Sequence, residues 1–200
     1  MENHCKVEKY PKVNEKFKVK TWVNKMEKIY AIRHYQIEDE KGNVILQSYT
    51  KWIMYSFERL RPIKILQEVD DMFEYTDKTT VKIDNINFDN VQVKESETKN
   101  SIVRYKDIDT NWHMNNVSYI NAALETMGKE FLDSNEVVEC KVEYRHQLLY
   151  NTAFSIEKNK INDLEYIYYI KKVQKEDEKL QKGNNANIYI KWRRKSEPYN

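Results

Sequence analysis

The chain has few residues that break regular structure: its 200 residues include three glycines and three prolines. Gly-rich and Pro-rich repeats are therefore excluded. Only two cysteines occur, Cys5 and Cys140, too few for a disulfide framework, so buried reduced thiols are expected. No run approaches the roughly 18 to 20 apolar residues of a membrane-spanning helix, and the opening Met-Glu-Asn-His-Cys-Lys lacks the apolar core of a signal peptide. A cytoplasmic location is the expectation. Neither charge sign dominates: 34 basic against 32 acidic residues leave +2, which argues against a dedicated nucleic-acid binder. Lys, Asn, Ile and Tyr are abundant, as in the coding of an AT-rich genome, and a bacterial source is expected. The length allows one large or two small domains with a real core.

The chain repeats itself. Cys-Lys-Val-Glu stands at 5–8 and 140–143, Glu-Asp-Glu-Lys at 38–41 and 176–179, and Lys-Trp at 51–52 and 191–192, with offsets of 135, 138 and 140. Three matches in one order at nearly constant spacing imply a duplicated unit. In the second copy, a short strand near Ser101–Tyr105 precedes a polar cluster and a helix from about Asn115 to Leu132. The helix is read from Val117, Ile120, Leu124, Met127 and Phe131, spaced by three and four. Alternation and β-branched or aromatic residues predict strands near 137–145, 153–158, 165–173 and 186–193. The first copy shows strands near 5–10, 17–23, 30–38 and 45–55, the last two joined around Lys41-Gly42-Asn43, and no helix. The expected organisation is an incomplete first unit of strands over 1–66, a connector over 67–97 and a second unit over 98–196. By the repeat offset, the first unit's helix would fall before residue 1, so an N-terminally shortened two-unit protein is expected.

The polar cluster is Asp107 to Asn116, Asp-Ile-Asp-Thr-Asn-Trp-His-Met-Asn-Asn, set at the start of the helix. Unpaired N–H groups and the positive dipole end can stabilise an oxyanion there, while Asp109, Asn111 and His113 supply acid, base and orienting groups. Asp-x-Asp-x-Asn also opens calcium loops, but the sixth and twelfth positions are Trp112 and Ser118 instead of Gly and Glu. No second His or Cys lies at ligand spacing from His113, so no metal is expected. A plain helix cap accounts for Asn115 or Asn116 alone, but not for Asp109, Asn111 and His113 together. His4 and His34 are expected to be structural or exposed, and Trp22, Trp52 and Trp192 to serve packing.

A helix wrapped by an antiparallel sheet, used twice, with Asp109, Asn111, His113, Asn115 and Asn116 leading into the second helix ahead of Tyr119 and Glu125, resembles the plant-type acyl-ACP thioesterases and their bacterial relatives. Tyr10-Pro11, Thr21-Trp22, Arg33-His34-Tyr35, Trp52-Ile53-Met54 and Arg61-Pro62-Ile63-Lys64 extend the resemblance through the first copy. It implies an α+β tandem (double) hotdog fold, antiparallel sheets with a central helix in the second unit, whose first unit lacks its opening strand and helix. The implied activity is hydrolysis of fatty acyl-ACP thioesters to free fatty acid and ACP, in fatty acid biosynthesis. No cofactor is implied. The implied partner is an acyl carrier protein bearing acyl-phosphopantetheine, met through basic clusters such as Arg59, Arg61 and Lys64 or Arg193, Arg194 and Lys195. A homo-oligomer would cover apolar strand faces left open by the missing helix.

By this resemblance, Asn111 and His113 position the thioester and the attacking group, Asp109 orients a partner, and Asn115 and Asn116 contact substrate. The family places a carboxylate on the following strand in a Glu-Tyr-Arg-x-Glu-Cys context. This chain reads Glu143-Tyr144-Arg145-His146-Gln147-Leu148, so Gln147 occupies that catalytic position. An amide cannot act as a general base. Strict strand alternation sets His146 on the opposite face from residue 147. A non-catalytic acyl- or ACP-binding protein and a truncated remnant are the alternative readings.

Overall fold

A computed structural model describes the chain except for residues 57, 60, 82–85, 175–181 and 196–200. It forms two compact units, Met1–Asp84 and Asn85–Asn200. The first contains β1 (Glu2–Val7), β2 (Phe17–Glu27), β3 (Tyr30–Asp39) and β4 (Val44–Ile53), then a short hairpin of β5 (Tyr55–Ser56) and β6 (Arg61–Pro62), and the single turn α1 (Gln67–Asp70). The second contains β7 (Glu95–Ile102), a 3-10 turn at Tyr105–Asp107, α2 (Asn116–Leu124), α3 (Lys129–Ser134), β8 (Asn135–Tyr144), β9 (Ala153–Asn162), β10 (Glu165–Lys172) and β11 (Ala186–Arg194).

Strand order shows the duplication. In the first unit the antiparallel order is β2-β3-β4-β1, and in the second β9-β10-β11-β8, with β7 added beyond β9. Cys5 and Cys140 fall in the equivalent strands β1 and β8, and Trp52 and Trp192 in β4 and β11. The second copy of Glu-Asp-Glu-Lys, at 176–179, lies outside the described residues. The hairpin expected around Lys41-Gly42-Asn43 joins β3 to β4. Gly42 sits at φ 82°, and the Asp39 carboxylate accepts the Lys41 and Asn43 N–H groups at 3.0 and 2.8 Å.

The long helix expected over 115–132 is instead two pieces, turning at Glu125–Gly128. Of the expected stripe, Met127 lies in the core and Ile120, Leu124 and Phe131 pack against it. Ser118, Tyr119 and Ala123 are the buried positions of α2, while Val117 is 62% exposed. The small residues Ser118 and Ala123 are buried beside the expected stripe, whose first member Val117 is not. The weak strand expected around 81–93 is not formed among the described residues. Instead Phe88, with Ile86 and Val91, packs onto Ile167 and Tyr189.

The second unit's main core joins Tyr119, Ala123 and Met127 to Val142, Ile156, Tyr168, Ile188 and Ile190 on the inner sheet face. Trp192 is buried there against Phe131 of α3, ring centroids 5.1 Å apart. The first unit has no helix longer than α1 among its described residues, and the equivalent Trp52 is 52% exposed. The cysteines form no disulfide, and burial pushes the Cys5 thiol up to about 11, so it stays protonated.

His34 is buried beside the Trp22 and Tyr49 rings, with Nδ1 2.8 Å from the Thr80 hydroxyl, which donates to the Ser48 carbonyl. Burial disfavours its charged form and lowers its pKa from the usual 6.5. Above that pH both the folded and unfolded chains carry a neutral imidazole. Below it the unfolded chain binds a proton that the folded chain resists, so stability falls as pH drops from 6.5 towards the folded pKa. Urea midpoints measured between pH 7.5 and 5 should therefore decline, and His34→Gln should flatten part of that decline.

Candidate functional site

The ten-residue polar cluster forms one tight loop in the second unit. Asp109 N–H donates to His113 O at 2.8 Å, Trp112 N–H donates to Asp109 O at 3.1 Å, and Ile108 bridges Met114. Closing so short a loop puts Trp112 at φ 62°, a strained conformation for a bulky residue, costing on the order of 1–3 kcal/mol. Its half-exposed ring is flanked by Tyr105 and Tyr150 at 6.3 and 6.2 Å.

Asp109 holds this loop through its own backbone. One carboxylate oxygen accepts N–H groups from Asn111 at 2.8 Å and His113 at 3.2 Å. Its partners are main-chain donors, so the group that it orients is the backbone turn carrying the imidazole. Asp109 and Asn111 are exposed, and His113 is half-buried. Asn115 caps α2: its side-chain oxygen accepts from Ser118 N–H at 2.9 Å and its amide donates to Asp107 O at 3.1 Å. Asn116 is the first helical residue, and its carbonyl accepts from the Tyr144 hydroxyl at 3.1 Å. The positive end of α2 thus lies two residues beyond His113.

Gln147 immediately precedes the segment that pairs with this loop. β8 ends at Tyr144, so the alternation argument for residues 146 and 147 does not hold: both are exposed in irregular chain. Beyond them His113 bridges Leu149, with Met114 N–H donating to Leu148 O at 2.7 Å and Tyr150 N–H to Trp112 O at 3.4 Å. Glu125 lies at the far end of α2, 3.7 Å from Arg104.

Two residues given no role by the sequence hold the 145–149 segment. Tyr119, on α2, accepts the buried Leu148 N–H at 3.1 Å, and burial pushes its hydroxyl up to about 12, keeping it a neutral phenol. Asn185, fully buried, accepts Arg145 and His146 N–H at its carbonyl and donates from its side chain to His146 O and Gln147 O at 3.3 and 3.4 Å. Tyr119→Phe should leave the Leu148 N–H buried without a partner, costing about 1–3 kcal/mol, read as a lower urea midpoint. The expected basic cluster at 193–195 is engaged locally: Arg193 pairs with Glu136 at 2.7 Å, and Lys195 donates to the Leu132 and Asp133 carbonyls near the end of α3. No group of three His, Cys, Asp or Glu side chains suited to a metal ion occurs among the described residues.

Residues 90–194 match the family model of the acyl-ACP thioesterase C-terminal domain, and residues 1–73 that of the N-terminal domain. The chain belongs to the acyl-ACP thioesterase family. Palmitoyl-acyl carrier protein thioesterase of Cuphea hookeriana, a chloroplastic protein, is 29% identical over 153 residues, 70% of this chain and 35% of that one. Oleoyl-acyl carrier protein thioesterase 2 of Arabidopsis thaliana, also chloroplastic, is 25% identical over 154 residues, 72% of this chain and 42% of that one. The chain thus spans well under half the length of these curated relatives. An acyl-ACP thioesterase from Bacteroides thetaiotaomicron shares the fold with a TM-score of 0.78 at 18% identity, over 96% of this chain and 74% of that one. The 12:0-ACP thioesterase from Umbellularia californica does so with a TM-score of 0.76 at 17% identity, over 97% and 74%. The tandem hotdog expected from the sequence is the fold of these thioesterases. No described helix is long and apolar enough to cross a membrane.

Proposed function

We propose that this chain hydrolyses the thioester joining a fatty acyl group to the phosphopantetheine arm of an acyl carrier protein, in fatty acid biosynthesis. The observation that carries this reading is the Asp109–His113 loop delivering a half-buried imidazole beside the N-terminus of α2. Hydrolysis needs a water activated by a base, donors for the carbonyl oxygen and a group to protonate the leaving thiolate. In this reading His113 handles the proton. Asn111 holds the thioester carbonyl, with Asn115 and Asn116 contacting substrate, and the helix end favours the developing oxyanion. Asp109 fixes the loop, and Gln147 orients the water as an amide hydrogen-bonding group. A bacterial cytoplasm is the proposed location, supported by bacterial structural relatives of the same fold.

Gln147 favours a second reading, in which acyl-ACP is bound without being cleaved. Purified protein mixed with acyl-ACP separates the two when binding and free acid are measured together. Release of acid and carrier thiol in equal amounts, over several turnovers, is expected. Saturable binding with no acid above the buffer rate would reject hydrolysis in favour of binding.

A further inference from the structure

Trp112 stands next to His113 with a backbone that its own side chain disfavours. Its φ of 62° lies in the left-handed region, where a bulky residue is strained and Gly or Asn is relaxed. The hydrogen bonds of the turn do not require an indole: Trp112 gives its N–H to Asp109 O and its carbonyl to Tyr150 N–H, and most residues carry both groups. The reason for the ring lies in what it meets. Tyr105 and Tyr150 flank it with interplanar angles of 68° and 67°, the edge-to-face arrangement that aromatic pairs favour. All three rings are exposed, so burial does not explain their assembly. Two such contacts are together of the size of the backbone strain that they offset.

The two tyrosines belong to different sides of the site. Tyr105 begins the 3-10 turn that leads into the loop, and Asp107 at the end of that turn accepts Asn115 N–H at its carbonyl. Tyr150 ends the segment that carries Gln147 and whose Leu149 bridges His113. The backbone bond from Tyr150 N–H to Trp112 O is 3.4 Å, longer than the usual range, so on this side of His113 the main chain alone holds loop and segment together weakly. The indole supplies a second tie at the same point. We infer that Trp112 is a positioning residue: its ring, gripped between Tyr105 and Tyr150, fixes the backbone of His113 against the segment that carries Gln147. Strain is retained at Trp112 because a relaxed Gly or Asn there would bring no ring to be gripped.

This role rests on the hydrolysis proposed above, so the test pairs turnover of acyl-ACP with a readout that needs no reaction. Trp112→Asn installs a residue that accepts the left-handed turn and removes the ring. Its kcat should fall roughly 10-fold or more with KM within about two-fold, since a small displacement of a reacting group suffices for such a loss. Its urea midpoint should stay close to that of the parent, relieved strain offsetting the lost ring contacts. Trp112→Phe should keep most of the turnover, and Tyr150→Leu should reproduce the loss without adding to that of Trp112→Asn. In the His113→Ala background, Trp112→Asn should lower turnover no further. With no substrate present, Trp112→Asn should quicken amide exchange at Asp109 and Met114 by roughly 10-fold or more, leaving Val142 and Ile188 in the core unchanged. An unchanged kcat or unchanged exchange in Trp112→Asn, an equal loss in Trp112→Phe, a loss confined to KM, or a urea midpoint that falls with turnover would each overturn the inference. A parent that releases no acid, with exchange still quickened by Trp112→Asn, would sink the proposed function alone. Hydrolysis by the parent that Trp112→Asn leaves intact would sink this inference alone.

Discussion

Gln147→Glu should raise acyl-ACP hydrolysis by roughly 10² or more, with KM changed by no more than a few-fold. An amide can hold a water but cannot take its proton, whereas a carboxylate of nearly the same shape can do both. The exchange should be well tolerated because residue 147 is exposed, so the new charge carries little desolvation cost. Its position is also preset: Asn185 holds the residue 146 and 147 carbonyls, and Tyr119 anchors the Leu148 N–H. Release of carrier thiol, followed with a thiol-reactive dye under saturating acyl-ACP, gives the comparison. An unchanged kcat would show that the carboxylate is not what the parent chain lacks.

His113→Ala should lower kcat/KM by roughly 10² to 10⁴, in both the parent and the Gln147→Glu background. His113 alone in the Asp107–Asn116 loop carries an imidazole, with one ring nitrogen to accept a proton and another to donate one. The loop should survive its loss, because the contacts that hold position 113 are backbone ones: the N–H to Asp109, the carbonyl to Asp109 N–H and the bridge to Leu149. The urea midpoint should therefore change little while turnover collapses. A parallel loss of stability and activity would mean that His113 serves the fold.

The duplication was legible because two of its short matches, at Cys5 and Cys140 and at Trp52 and Trp192, sit in equivalent strands, and strands written as alternating apolar residues keep their pattern whatever covers them. The helix was legible in place and in most of its apolar stripe, Ile120, Leu124, Met127 and Phe131 lying in or against the core. Not legible was the burial of Ser118, Tyr119 and Ala123 beside that stripe, or the exposure of Val117. The candidate site was legible where it is local. An Asp two and four residues ahead of the N–H groups that it accepts is a turn written in sequence. What secures the 145–149 segment was not legible, because Tyr119 acts across 29 residues and Asn185 across 38. Such contacts depend on how the strands pair: Tyr119 follows the motif without its partner being apparent, and Asn185 stands in no motif. Gln147 was recognised by its place in a pattern, but its surroundings differ from the regular strand expected there. The chain leaves β8 at Tyr144 before it reaches that position.

The most direct measurement is a single-turnover reaction with the protein in excess over labelled acyl-ACP, following free acid for the parent chain and for His113→Ala. Hydrolysis at the Asp109–His113 loop predicts first-order release of acid by the parent, faster than His113→Ala by about 10² or more. Equal rates in the two proteins, or bound acyl-ACP that yields no acid, would contradict it.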